Sequence, residues 1–145
     1  MSSNIEEFLT REEEEKIISA IQAAELKTTG EIRVHLEKST TDVEMRSLEV
    51  FKLLKMNNTK QSNGVLFYFA VDDRKFRIIG DSGIHRVVGQ NFWVEIKEVI
   101  TTQIKAGNTA AGIIEGIEMT GIKLAQYFPW NDGDINELPD EISRG

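Results

Sequence analysis

Gly64 to Val71 is an almost unbroken apolar run, too short for an ordinary helix and bounded by the polar stretch Asn57 to Asn63 and by Asp72-Asp73-Arg74. A strand of that kind must be covered on both faces, so the chain has to supply layers on either side of a sheet. It does. Thr10-Arg11-Glu12-Glu13 is a capping box followed by Ile17, Ile18, Ile21 and Ala24 on one helical face, with Gly30 as the expected stop. From Glu31 to Glu37, Ile32, Val34 and Leu36 alternate with Arg33, His35 and Glu37, which predicts a strand with one better-buried face. Thr41-Asp42-Val43-Glu44 reads as a second capping box, and Val43, Val50, Phe51 and Leu54 continue at helical spacing.

Strand, helix and buried strand in that order imply a right-handed parallel crossover. Phe76 and Ile78 then alternate with charged residues in Lys75 to Ile79, which makes an antiparallel hairpin with the apolar run between the strands of Val34 and Ile78. A short segment, Ile84 to Val88, precedes a helix carrying Phe92, Trp93, Ile96, Val99, Ile100 and Ile104. Gly107 closes that helix and Asn108 is the expected cap of the next, whose stripe is Ile113, Ile114, Ile117, Leu124 and Phe128 before Pro129. The fold class is α/β, a three-layer α/β/α sandwich with a small mixed sheet. Its 145 residues form a single domain, 1–145, in which 129–145 is an acidic tail packed on or near the rest.

The net charge of -7 disfavours nucleic acid and anionic lipid surfaces and makes cations the natural partners. No run approaches the roughly 18 apolar residues of a membrane span, so no membrane insertion is expected. The start shows no basic stretch leading into an apolar one, and the expected location is the cytoplasm. With no cysteine, thiolate catalysis and sulfur-ligated metals are excluded. Gly80-Asp81-Ser82-Gly83 has the look of a serine-protease nucleophile loop, but such enzymes need two β-barrels, and a triad is defined by geometry. His35 and His85 lack partners at metal-ligand spacing and read as surface or edge residues.

Asp132-Gly133-Asp134-Ile135-Asn136 places oxygen side chains at alternate positions of a glycine-containing loop, as hard-cation sites do, with Asp140 or Glu137 and the Leu138 carbonyl available to complete the shell. It is not an EF-hand, because glycine is missing at the sixth position and glutamate at the twelfth. The alternative reading is a solvated acidic tail. Topology adds a second cluster: the starts of the first two strands and the end of the third share an edge, which gathers Glu31, Asn63 and Asp81, a receptor for a cation or a set of groups that are paired or hydrated. The metal residues read from sequence are therefore Asp132, Asp134, Asn136, Asp140, Glu31 and Asp81, and the cofactor calcium or magnesium.

Ala23-Ala24-Glu25-Leu26-Lys27-Thr28-Thr29-Gly30-Glu31-Ile32-Arg33-Val34 resembles the opening of the TPM domain family. Asn63-Gly64-Val65-Leu66, Val71-Asp72-Asp73-Arg74-Lys75 and the glycine-spaced last helix resemble later parts of the same pattern, and the resemblance spans residues 10 to 128. It implies an α/β/α sandwich, an association with calcium and a link to acid phosphatase activity in thylakoid-lumen relatives, while other relatives are membrane-anchored or modulate receptors. This chain departs from the pattern in lacking a membrane anchor and in reading Gly80-Asp81-Ser82-Gly83 where many relatives have Gly-Tyr-Gly, which sets a membrane or photosynthetic role aside. The leading expectation is a stand-alone, non-enzymatic regulatory or interaction domain whose loops are ordered by a divalent cation, with an unknown protein partner. The alternative is a metal-dependent acid phosphatase of small phosphoesters, and a purely structural interaction domain would show no metal response.

Overall fold

The computed structural model describes residues 8–130 and 142–144. Helix α1 (Arg11–Glu25) opens with the complete capping box: the Glu13 N–H donates to the Thr10 hydroxyl at 3.1 Å, and the Thr10 N–H donates to the Glu13 carboxylate at 2.8 Å. It ends at Glu25, ahead of Gly30, because residues 26–30 are drawn into a connection of their own. Strand β1 (Glu31–Glu37) leads to α2 (Val43–Leu53), a 3-10 turn at Met56–Asn58, and β2 (Gly64–Ala70). Here Asp42 rather than Thr41 is the cap, since its carboxylate accepts from the Met45 N–H at 3.0 Å, so the helix starts one residue later than a Thr41 box requires. Strand β3 (Lys75–Gly80), the single turn α3 (Ser82–His85), α4 (Gln90–Lys105), α5 (Thr109–Tyr127) and β4 (Ser143–Arg144) complete the described elements.

The sheet order is β3-β2-β1-β4. β1 and β2 run parallel from Glu31 opposite Gly64 to Glu37 opposite Ala70, and β2 and β3 run antiparallel from Val65 opposite Gly80 to Ala70 opposite Lys75. The apolar run is thus an interior strand between those of Val34 and Ile78, as its composition requires. β4 was not foreshadowed by any periodicity, and it joins β1 in parallel through His35–Ser143 and Leu36–Arg144.

Strand alternation divides the apolar side chains between two cores. Ile32, Val34, Leu36, Val65, Phe67 and Phe69 face the larger one, which α1, α4 and α5 cover with Ile17, Ile21, Ile96, Ile100, Ile113, Ile117 and Leu124. Leu66, Tyr68, Ala70 and Ile79 face the smaller one, roofed by Val50 and Phe51 of α2 and by Met56. Helices on both faces of a mixed sheet make the α/β sandwich. α4 is closed by Gly107, whose φ of 84° suits glycine alone and lets the Asn108 N–H donate to the Gln103 carbonyl at 2.8 Å. The Asn108 side chain is spent on Gln103 at 3.3 Å and does not cap α5. Among the described residues, no helix is long and apolar enough to cross a membrane.

Candidate cation site

The strand register carries Glu31, Asn63 and Asp81 to one edge of the sheet. Glu31 begins β1, Asn63 immediately precedes β2, and Asp81 immediately follows β3. The backbone ties them: the Glu31 N–H donates to the Asn63 carbonyl at 3.4 Å, and the Asp81 N–H donates to the Gly64 carbonyl at 2.9 Å. The Gly83 N–H donates to the Ser62 carbonyl at 2.7 Å, and a Cβ at Gly83 would lie 2.1 Å from the Gln61 carbonyl oxygen, so only glycine allows this approach.

Asn63 is 1% exposed. Its amide nitrogen donates to the Thr29 hydroxyl at 3.1 Å and to Gln61 Oε1 at 3.4 Å, while its Oδ1 is buried with no hydrogen-bond partner among the described residues. A buried carbonyl oxygen without a donor is costly, and a hard cation is one of the few groups that satisfy it. Glu31 is 2% exposed. Asp81 is half-buried and accepts from the Ser82 N–H at 2.8 Å through Oδ1, which orients its carboxylate at the start of α3.

The chain leaves for the acidic segment beside the start of β1 and rejoins the sheet farther along that strand. Pro129 bridges to Thr28, the Thr29 N–H donates to the Phe128 carbonyl at 2.9 Å, and the Trp130 N–H donates to the Lys27 carbonyl at 3.1 Å. After the segment, Ile142 enters the larger core and Ser143 and Arg144 pair with β1. Asp132, Asp134, Asn136 and Asp140 lie outside the described residues, as do Glu137 and Leu138. Among the described residues no group of three or more His, Cys, Asp or Glu side chains converges as a metal cage.

Residues 3–122 match the model of the TPM domain. The chain belongs to the TPM domain family. It is similar to the BA42 protein of the psychrophilic bacterium Bizionia argentinensis, solved by NMR, with 55% identity over 97% of this chain and 98% of that one and a TM-score of 0.90. The N-terminal domain of a P. gingivalis protein shares the fold at 21% identity and a TM-score of 0.67, over 83% of this chain and 78% of that one. The N-terminal domain of the cg2496 protein of Corynebacterium glutamicum does so at 14% identity and a TM-score of 0.57, over 80% and 74%. No curated protein matches the chain.

This TPM domain also holds a buried polar network that its sequence concealed. All seven residues of β1 are buried, so Arg33, His35 and Glu37 do not face water and His35, 4% exposed, is not a surface residue. The side chains alternate between the two faces as the sequence predicts, but the polar face is covered as well. Glu37 accepts from Arg46 of α2 through Nη2 at 2.7 Å and Nε at 3.0 Å, and from the Tyr68 hydroxyl. His35 stacks on Tyr68 with ring centroids 5.7 Å apart, and its Nδ1 shares a hydrogen bond with the Ser143 hydroxyl at 2.8 Å. Burial lowers the His35 pKa against the opposing pull of Glu37. Burial would raise that of Glu37, but the hydrogen bonds from Arg46 and Tyr68 and the Arg46 charge together bring it down. Burial and then the Glu37 carboxylate push Tyr68 up. The network is a structural ion pair with its donors in place. His85, in contrast, is exposed and lies against Trp93, with centroids 5.5 Å apart.

Proposed function

We propose that this TPM domain is a cytoplasmic, non-enzymatic regulatory or interaction module that binds calcium or magnesium. The observation that carries the reading is the tethering of both ends of the acidic segment along β1, the strand that begins with Glu31, while Asn63 Oδ1, beside the start of that strand, is buried without a donor among the described residues. Glu31 and Asp81 would supply carboxylate oxygens from the folded edge, and Asp132, Asp134, Asn136 and Asp140 the oxygens of the segment. All are hard ligands suited to these ions and poor ones for thiophilic metals. Bound, the ion would offset the mutual repulsion of the carboxylates and hold the segment on the domain, altering the surface offered to a protein partner.

The test is calorimetric titration of the full chain with calcium and with magnesium, alongside thermal unfolding. An ion that binds only the folded form stabilises it by about 2.7 kcal/mol at a hundredfold excess over its dissociation constant, which for a domain of this size raises Tm by roughly 5–10 °C. Asp132→Ala with Asp134→Ala removes most of that rise and leaves metal-free Tm unchanged. Undiminished affinity in the double variant overturns the reading. Stoichiometric turnover of a generic phosphoester by the metal-loaded protein replaces it with the phosphatase alternative.

A further inference from the structure

We propose that the open edge of β3 and the groove beside it receive an acidic, extended peptide segment of a partner protein. Among the described residues β3 is the terminal strand of the sheet and pairs only with β2, which leaves its outer backbone groups to an added strand. Beside it, at the end of the sheet opposite Asp81, lies a groove of about 1190 Å³. Five cations line it: Arg74, Lys75 and Arg77 from the hairpin, and Lys97 and Lys105 from α4. None of the five makes an ion pair among the described residues, although the chain as a whole carries 24 acidic against 17 basic residues.

Basic side chains on an edge strand commonly serve to prevent edge-to-edge aggregation. That accounts for Lys75 and Arg77. It does not account for Lys97 and Lys105, which stand on a helix and add positive charge to the same groove. Its apolar floor is made of Ile104, Phe69 and Phe76, the two rings stacked with centroids 5.5 Å apart. In an added strand alternate residues lie on opposite faces of the sheet, while the backbone extends the ladder. Acidic ones therefore meet Lys75 and Arg77 on the face of Tyr68 and Ala70, and apolar ones meet this floor on the face of Phe69, where Lys97 and Lys105 flank it and add to the attraction. A nucleic acid suits the groove less well, because Asp42 and Glu44 also line it and the molecule's net charge of -7 repels a long polyanion. The inference does not rest on cation binding at the other end of the sheet.

The experiment is an amide NMR titration of the full chain with a short blocked peptide of alternating glutamate and valine. A serine and valine peptide of equal length, an oligothymidylate and anionic phosphatidylglycerol vesicles serve as comparisons. Shifts are expected on residues 74–79 and on α4 near Lys97 and Lys105, with the acidic peptide binding best. Lys75→Glu with Arg77→Glu should weaken it about tenfold or more, and so, independently, should Lys97→Gln with Lys105→Gln, which leaves the edge strand untouched. Equal affinity for the serine peptide, shifts confined elsewhere, tighter binding of the oligonucleotide or vesicles, or unaltered affinity in both folded variants overturns the proposal.

Discussion

Glu37 illustrates how a buried charge is tolerated in this molecule. It is 7% exposed, yet Arg46 meets it with two nitrogens and Tyr68 supplies a hydroxyl, so the carboxylate exchanges its water for donors already in place. Removing one partner leaves the other charge stranded. Arg46→Ala should cost about 2 kcal/mol, less than a fully enclosed pair loses, because the Arg46 side chain is 31% exposed. Tyr68→Phe, which keeps the ring and its stacking on His35, should cost about 1.5 kcal/mol for the lost bond to a charged acceptor. Urea unfolding of each variant measures both, and values within experimental error of the parent would show that the network adds nothing to stability. His35 and Glu37 were visible in sequence as the polar half of an alternating strand. Their burial was not, because alternation separates two faces without saying what covers either.

Among the elements, α1 and α5 meet at Gly121 more closely than a residue with a side chain there would allow. A Cβ at Gly121 would fall 2.7 Å from the Ala24 Cβ, a contact that neither short side chain can relieve by rotating. Helix propensity alone predicts that Gly121→Ala stabilises α5 by about 1 kcal/mol. The expected outcome has the opposite sign, a loss of roughly 1–3 kcal/mol from overpacking, read from the midpoint of urea unfolding. A gain in stability would mean that the helices separate without cost. The glycine spacing of α5 was legible from the chain, but the partner it accommodates was set by the fold. The same holds for the shift in the start of α2: Thr41 and Asp42 are both competent caps, and the chain's path out of β1 leaves Asp42 in position to reach the Met45 N–H.

For the whole molecule, the buried network predicts how stability follows pH. His35 has its pKa lowered by burial from an ordinary value of 6.5, so as pH falls through that value the unfolded chain takes up a proton that the folded chain refuses. Stability therefore declines from about pH 6.5 downward. Glu37, also lowered from its ordinary 4.5, contributes stability that is present above 4.5 and is lost as pH falls further, through its folded-state pKa. The unfolding free energy at constant ionic strength should be level from about pH 7 to about pH 9 and fall below about pH 7, and His35→Gln should remove the first part of that fall. A parent profile that is flat from about pH 7 to about pH 5 would contradict the assignment.

By itself the sequence determined the number and kind of the main elements and their arrangement as an α/β sandwich, because apolar spacing reports which residues must leave water and little else is needed to stack the layers. Only the tertiary structure decided what each face meets. Strand register brings Glu31, Asn63 and Asp81 together, and a strand of two residues from the far end of the chain, with no periodic signal of its own, closes over His35. The hairpin and α4 place Arg74, Lys75, Arg77, Lys97 and Lys105 around one groove. Such juxtapositions depend on contacts between residues distant in the chain, and local periodicity carries no record of them.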